Sequence, residues 1–181
     1  MKQAILKELI KLQKYKHVDK SVYKRFIKRL NENRGLVKKE SLSDHFCVFF
    51  LPYHKTSASV FLGHHIKADD WISPGGHIER SEHPLKTVKR EYAEELRSII
   101  KEEKIEIFDL SIKKIDNPLH NCKVHYDMWY LVHMKEKPDY RYIKKEYYNA
   151  KWLKLPEALN YIQKNPSYKA IVAKLQSFQW A

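Results

Sequence analysis

The apolar residues of this chain fall into two periods. Ile5, Leu9 and Leu12 recur on one side of residues 2–14, with Leu6 and Ile10 beside them, which is the pattern of an amphipathic helix. Val22, Phe26, Ile27 and Leu30 form a second stripe that Asp19 or Ser21 can cap and Asn33-Arg34-Gly35 ends. A third stripe, made by Leu85, Val88, Tyr92, Leu96 and Ile99, falls within about 40° of one line at 100° per residue. It predicts a buried helix face that runs on to about Lys101. Two further helices are expected, one opening at Pro156 and one from Pro166 through Leu175 to Phe178, where proline suits the first helical turn.

Strand patterns lie between these helices. His45 to Leu51 is too apolar for an exposed strand and reads as a central one, closed by Pro52, with Thr56 to His65 as its neighbour. The adjacent His64 and His65 must point to opposite faces of that neighbour. Ile105 to Leu110 alternates, Asn117-Pro118 marks a turn, and residues 123–134 form the longest run. In that run Val124, Tyr126, Met128, Tyr130 and Val132 share one face, while His125, Asp127, Trp129, Leu131 and His133 share the other. Trp152-Leu153 reads as a short last strand after a charged, tyrosine-rich loop at 135–151, long enough to approach an active site.

Composition narrows the class. A chain of 181 residues with a 43% hydrophobic fraction can bury a real core as one ordinary domain, and no apolar run approaches the length of a membrane span. Its amino terminus mixes Lys and Glu with apolar residues and does not read as a signal peptide. Cys47 and Cys122 form no disulfide framework and fit no zinc spacing, which suits a reduced, cytoplasmic protein. The net charge is +13, and residues 1–45 hold 13 Lys and Arg against 5 Asp and Glu. Such a surface attracts polyanions, including nucleotides, RNA or an acidic partner, and is also what a solvated helical face looks like.

The chemistry is concentrated at residues 73–97, from Ser73-Pro74-Gly75-Gly76-His77-Ile78-Glu79 to Arg90-Glu91-Tyr92-Ala93-Glu94-Glu95-Leu96-Arg97. Glu95 sits at the border of the third apolar stripe, with Glu91 and Glu94 farther round. Carboxylates spaced i, i+3 and i+4 repel one another, and a hard divalent cation removes that penalty. Magnesium is the natural candidate, because it takes oxygen ligands from one or two carboxylates while a substrate's phosphates supply the rest. Two of only four glycines, Gly75 and Gly76, stand behind Pro74, where a turn can bring backbone N–H groups close to a ligand. Pro84 suits the first position of the helix, and Glu82 before it favours the positive end of the helix dipole.

These spacings resemble the Nudix hydrolase box: Gly, five residues, Glu, seven residues, Arg-Glu, a bulky apolar residue, any residue, Glu-Glu, any residue, Gly and an apolar residue. Gly76, Glu82, Arg90, Glu91, Glu94 and Glu95 match in register. Tyr92 replaces the usual aliphatic, Arg97 the final glycine and Ser98 the apolar residue after it. Trp71, the run ending at Gly63-His64-His65, and Trp152 also look like features of Nudix domains.

The resemblance implies an α+β fold, an α/β/α sandwich with a mixed sheet. Its core would span residues 45–181, behind a helical extension at 1–44 that serves as an accessory lid or a dimerisation element. It implies a Mg²⁺ (or Mn²⁺) pyrophosphohydrolase cleaving the diphosphate of a nucleoside diphosphate derivative. On that reading Glu91 and Glu95 bind the metal directly, and Glu94 completes the set or acts through water. Arg90 orients a metal-binding glutamate, Glu82 supports the loop or the metal site, Gly75-Gly76 shapes the diphosphate pocket, and a carboxylate deprotonates the attacking water.

Many Nudix enzymes recruit that general base from a loop outside the box, and Glu146 in the 135–151 loop is the candidate here, with Glu136, Asp127 and Glu94 as competitors. The pair His125 and Asp127 emerges on one strand face about 7 Å apart, but a metal there would need a third ligand such as His120. Two other readings stand beside the small-nucleotide hydrolase: a Nudix-fold binding or regulatory module without hydrolysis, and an enzyme acting on the 5′ end of RNA, to which the basic amino-terminal segment points. Partners are then a nucleotide or RNA and, through the helical pair, a second copy in a homodimer.

Overall fold

The computed structural model describes residues 1–115 and 121–178. The order of elements is α1 (Lys2–Lys11), α2 (Lys20–Asn31), β1 (Asp44–His54), β2 (Ser59–His65), β3 (Asp70–Ile72), β4 (Gly75–His77), α3 (Pro84–Leu96), β5 (Ile105–Lys114), β6 (Val124–His133), β7 (Tyr147–Lys154), α4 (Leu155–Tyr161) and α5 (Pro166–Ser177). The strands make one mixed sheet in the order β3-β2-β1-β6-β5, with β4 paired to β1 and β7 to β2. β1 and β6 run parallel, and the other pairs are antiparallel.

Alternation along β1 divides the core. Phe46, Val48 and Phe50 pack with Val88, Tyr92 and Leu96 of α3 and with Ile5, Leu9, Phe26 and Leu30 of α1 and α2. Cys47, Phe49 and Leu51 pack on the opposite face with Ala158 of α4 and Ile171, Val172 and Leu175 of α5. The sheet therefore lies between two helical layers, the α+β sandwich expected. Helices α1 and α2 share the α3-side core, and Arg29 of α2 is buried with its guanidinium donating to Asp44 Oδ1 at the start of β1 (2.9 Å). The apolar cluster thus crosses the 44/45 boundary drawn from sequence. Asp19 caps α2, accepting from the Ser21 and Val22 N–H groups.

Several expectations are corrected. Pro52 does not close β1, which continues to His54. Phe50 N–H points to Pro74 O, so by alternation the Pro52 nitrogen faces the same side, in the gap before β1–β2 pairing begins at Tyr53, and no ladder bond is lost. β5 runs past Leu110 to Lys114 because a bulge between Ile107 and Asp109 resets the alternation. β7 starts at Tyr147 and takes in the end of the expected loop.

The helix α3 does not reach Lys101. It ends at Leu96, where Arg97 adopts the left-handed conformation (φ 51°, ψ 38°) that a glycine ordinarily provides. Ile99 is consequently exposed instead of continuing the buried stripe. The Asn117-Pro118 turn and His120 lie outside the described residues.

Candidate active site

The site forms where β4, α3 and the segment before β7 meet. His83 caps α3 with Nδ1 accepting from Leu85 N–H (3.2 Å), and Pro84 opens the helix. The preceding residue, Glu82, accepts from Thr87 Oγ1 (2.8 Å) and from both Nε and Nη2 of Arg90 (3.1 and 3.2 Å). These bonds outweigh the effect of burial and hold its carboxyl below the ordinary range. Arg90 is the hub, since Nη1 also reaches Glu91 (2.8 Å) and Glu94 (3.1 Å), and Nη2 reaches His77 O (3.1 Å). One planar guanidinium thereby joins the loop, the strand β4 and two helix carboxylates.

Glu91 and Glu95 turn inward. Burial pushes Glu91 up to about 6 against the attraction of Arg90, with the charges of Glu94 and Glu146 adding to the rise, and burial pushes Glu95 well above the carboxylate range, with Glu91 and Glu146 adding to it. Glu95 is held by the Gly75 N–H (3.3 Å) at Oε1 and by the Tyr147 hydroxyl at Oε2. Gly76 is required at its place because a Cβ there would stand 2.6 Å from Glu91 Cδ. Glu94 is different: it is exposed and is turned to Arg90.

Glu146 reaches the same place through the backbone. Ile143 N–H donates to Glu95 O (2.9 Å) at the end of α3, and Glu146 and Tyr147 N–H both return to Ile143 O (3.1 Å). Glu91, Glu95 and Glu146 line one cavity of about 810 Å³ together with Gly75, Gly76 and Arg90. Lysines 38, 39, 67, 113 and 114 supply positive charge along other walls of that cavity. Of the competitors for the base, Asp127 is fully buried, its carboxyl raised to about 7 by burial and bonded to Ser111 Oγ (3.2 Å). Glu136 is exposed. His65 lines the cavity while His64 stacks on Trp71 (5.7 Å), as opposite faces require.

The donor set fits a hard divalent ion. Glu95 is buried and Glu91 half-buried, and both carboxyls are raised by their surroundings, an arrangement a Mg²⁺ or Mn²⁺ ion would relieve, while the Gly76 cradle leaves Glu91 its place. Sequence reasoning missed Tyr147, whose partner Glu95 is 52 residues away. The one available signal was Gly63, where a Cβ would meet the Tyr147 ring at 2.5 Å. It also missed a cluster of His45, Cys47, His77 and His125, whose ligand atoms lie within 4.8 Å of one another.

No helix among the described residues is long and apolar enough to cross a membrane. The family model for the NUDIX domain matches residues 44–175. The sequence has no match among curated proteins. Among solved structures the chain is similar to the E. coli dihydroneopterin triphosphate pyrophosphohydrolase, with TM-score 0.64 and 17% identity over 74% of this chain and 96% of that one. It is similar to a C. elegans Ap4A hydrolase in binary complex, with TM-score 0.56 and 18% identity over 73% of this chain and 96% of that one. A MutT NUDIX hydrolase from Burkholderia pseudomallei shows TM-score 0.55 and 17% identity, covering 71% of this chain and 96% of that one. At these identities the three likenesses speak for the fold, and the family match spans most of the chain, including the whole box: the chain belongs to the Nudix family and is a hydrolase of pyrophosphate bonds.

Proposed function

We propose that the chain is a Mg²⁺-dependent pyrophosphohydrolase that cleaves the diphosphate linkage of a nucleoside diphosphate derivative in the cytoplasm. The observation that carries this reading is the convergence of Glu91, Glu95 and Glu146 on one cavity whose other walls bear lysines. Carboxylates suit a divalent ion, and the lysines suit the anionic substrate that such an ion alone would not neutralise.

Glu91 and Glu95 would hold Mg²⁺ or Mn²⁺, which when bound neutralises charge on the phosphate oxygens. Arg90 fixes the Glu91 carboxylate, and Glu82 with Thr87 fixes Arg90. Gly75 and Gly76 give the backbone close approach, and the Gly75 N–H orients Glu95. Glu146 takes a proton from the water that attacks phosphorus, since it faces the cavity without an ion pair to one of the other described residues. Glu94 supports Arg90 from the solvent side.

The test is a screen of nucleoside diphosphate derivatives and dinucleoside polyphosphates with saturating Mg²⁺, with nucleoside monophosphate as the product followed. Metal-dependent release from at least one compound, abolished by chelation, is expected. Turnover of none of these compounds would overturn this substrate class.

A further inference from the structure

We propose that His45, Cys47, His77 and His125 form a second metal site, for Zn²⁺, of which Cys47, His77 and His125 line the cavity. The site is independent of the carboxylate chemistry above.

Strand geometry builds it. His45 and Cys47 are two residues apart on β1 and so share a face. Across one ladder His45 is directly opposite His125 of β6, and across the other Cys47 is directly opposite His77 of β4. Residues opposed in this way carry their side chains on the same face. Two neighbouring strands thus deliver their donors to the two residues of the strand between them. The imidazole centroids are 4.9 Å (His45–His77), 5.1 Å (His45–His125) and 5.3 Å (His77–His125) apart, and the four ligand atoms lie within 4.8 Å of one another.

The donors are also prepared for a metal. His45 Nδ1 is 2.9 Å from Ser41 O, which only accepts, so Nδ1 carries the hydrogen and Nε2 is left as a lone pair. A backbone carbonyl on the far ring nitrogen is the usual way a ligating histidine is oriented. Neither His77 nor His125 makes a side-chain hydrogen bond to another described residue, although both are substantially buried. Such groups ordinarily find partners, and an ion would supply one to each. Cys122, whose Sγ is 3.6 Å from His45 Nε2, stands just outside the four.

Three imidazoles and one thiolate are the donors of a borderline-soft ion, and four protein ligands close a tetrahedron in the manner of structural zinc. Tetrahedral Zn²⁺ with bonds of about 2.1–2.3 Å holds its ligand atoms roughly 3.5 Å apart, so the cluster need only contract. Ligation of Cys47 releases its thiol proton to solvent. The box carboxylates offer oxygen only, and His77 follows Gly76 directly, so the two sites lie on opposite faces of one strand: Glu91 approaches Gly76 while His77 faces Cys47. Zinc there would tie β4, and with it the Gly75-Gly76 turn, to β1 and β6.

The experiment uses the full chain, stripped with chelator and returned to saturating Mg²⁺ so that the carboxylates are occupied, then titrated with Co²⁺ and with Zn²⁺ against a chromophoric chelator. Expected are one equivalent of Co²⁺ with a thiolate-to-metal absorption band, displaced by Zn²⁺ and not by Mg²⁺. Cys47→Ser should remove the band, and His77→Asn should weaken Zn²⁺ binding by roughly 100-fold, at least as much as loss of an outer-sphere partner does. Glu95→Gln should leave the band intact. The proposal is overturned if the parent protein shows no thiolate band, if the band survives Cys47→Ser, or if Zn²⁺ affinity is unchanged in His77→Asn. Should Cys47→Ser fail to fold by circular dichroism, the parent spectrum and His77→Asn, at a half-buried position, decide the matter.

Discussion

The hydroxyl of Tyr147 donates to the buried carboxylate of Glu95, across the cavity in which Glu91 and Glu146 also lie. The contact depends on Gly63, since any side chain there would meet the Tyr147 ring. A hydrogen bond to a charged group contributes about 1.5–3 kcal/mol and holds the Glu95 pKa down, so removing it raises that pKa further. Tyr147→Phe keeps the ring and loses the donor. The acid limb of the kcat/KM profile should move to higher pH, with activity largely recovered at alkaline pH; an unmoved limb would mean that Glu95 does not depend on this bond.

Glu146 and Glu94 are separated by their surroundings, one facing the cavity and the other solvent. A general base typically contributes 10²–10⁴-fold, so Glu146→Gln should lower kcat by roughly that factor with little change in Mg²⁺ affinity. Glu94→Gln should cost less than about threefold, because its one described partner is Arg90. Reversal of the two results in steady-state kinetics would return the role of base to the helix.

The two glycines should answer differently to alanine. At Gly76 the added Cβ meets only the flexible end of Glu91, so Gly76→Ala should fold with nearly parental stability and lose turnover and metal affinity. At Gly75 it would meet backbone, 2.7 Å from Phe49 Cα, at a φ of 154°. Gly75→Ala should therefore lower the melting temperature as well as activity. Thermal denaturation beside Mg²⁺ titration distinguishes the two.

Glu91 should make stability depend on pH when divalent ions are removed. Its folded pKa of about 6 lies above the ordinary 4.5, so the folded state binds the proton more tightly. The stabilisation this brings is fully present below about 4.5 and is lost as pH rises through about 6. Glu91→Gln mimics the protonated form. In chelator it should gain about 1–2 kcal/mol over the parent protein at pH 8 and nothing at pH 4, measured by urea unfolding.

At the end of α3, Arg97 is exposed in a left-handed conformation that costs a side chain roughly 1–2 kcal/mol. Arg97→Gly should raise stability by about 1 kcal/mol and with it the melting temperature, after allowing for the entropy glycine loses. A fall would show that the Arg97 side chain contributes more than its backbone costs.

Sequence alone determined the local elements and the spacing of the chemistry. Three helices and the central strands follow from periods of 3.6 and 2, the last two helices from proline in their first turns, and the box residues Gly76, Glu82, Arg90, Glu91, Glu94 and Glu95 from their register on one loop and one helix, because all are properties of near neighbours. Periodicity also favoured continuing α3 along Ile99, and failed there because the cap depends on one residue's backbone angle, which no apolar pattern encodes.

Only the tertiary structure decided which carboxylates face one another. Glu91 and Glu95 turn inward and Glu94 outward because Arg90 and the β4 turn occupy one side of the helix, and Tyr147 and Glu146 arrive through the Ile143–Glu95 backbone bond. The same holds for His45, Cys47, His77 and His125, which are spread over 80 residues and meet only through strand register. Register is set by burial of whole strand faces across the sheet, so contacts between distant segments become readable only once that pairing is known.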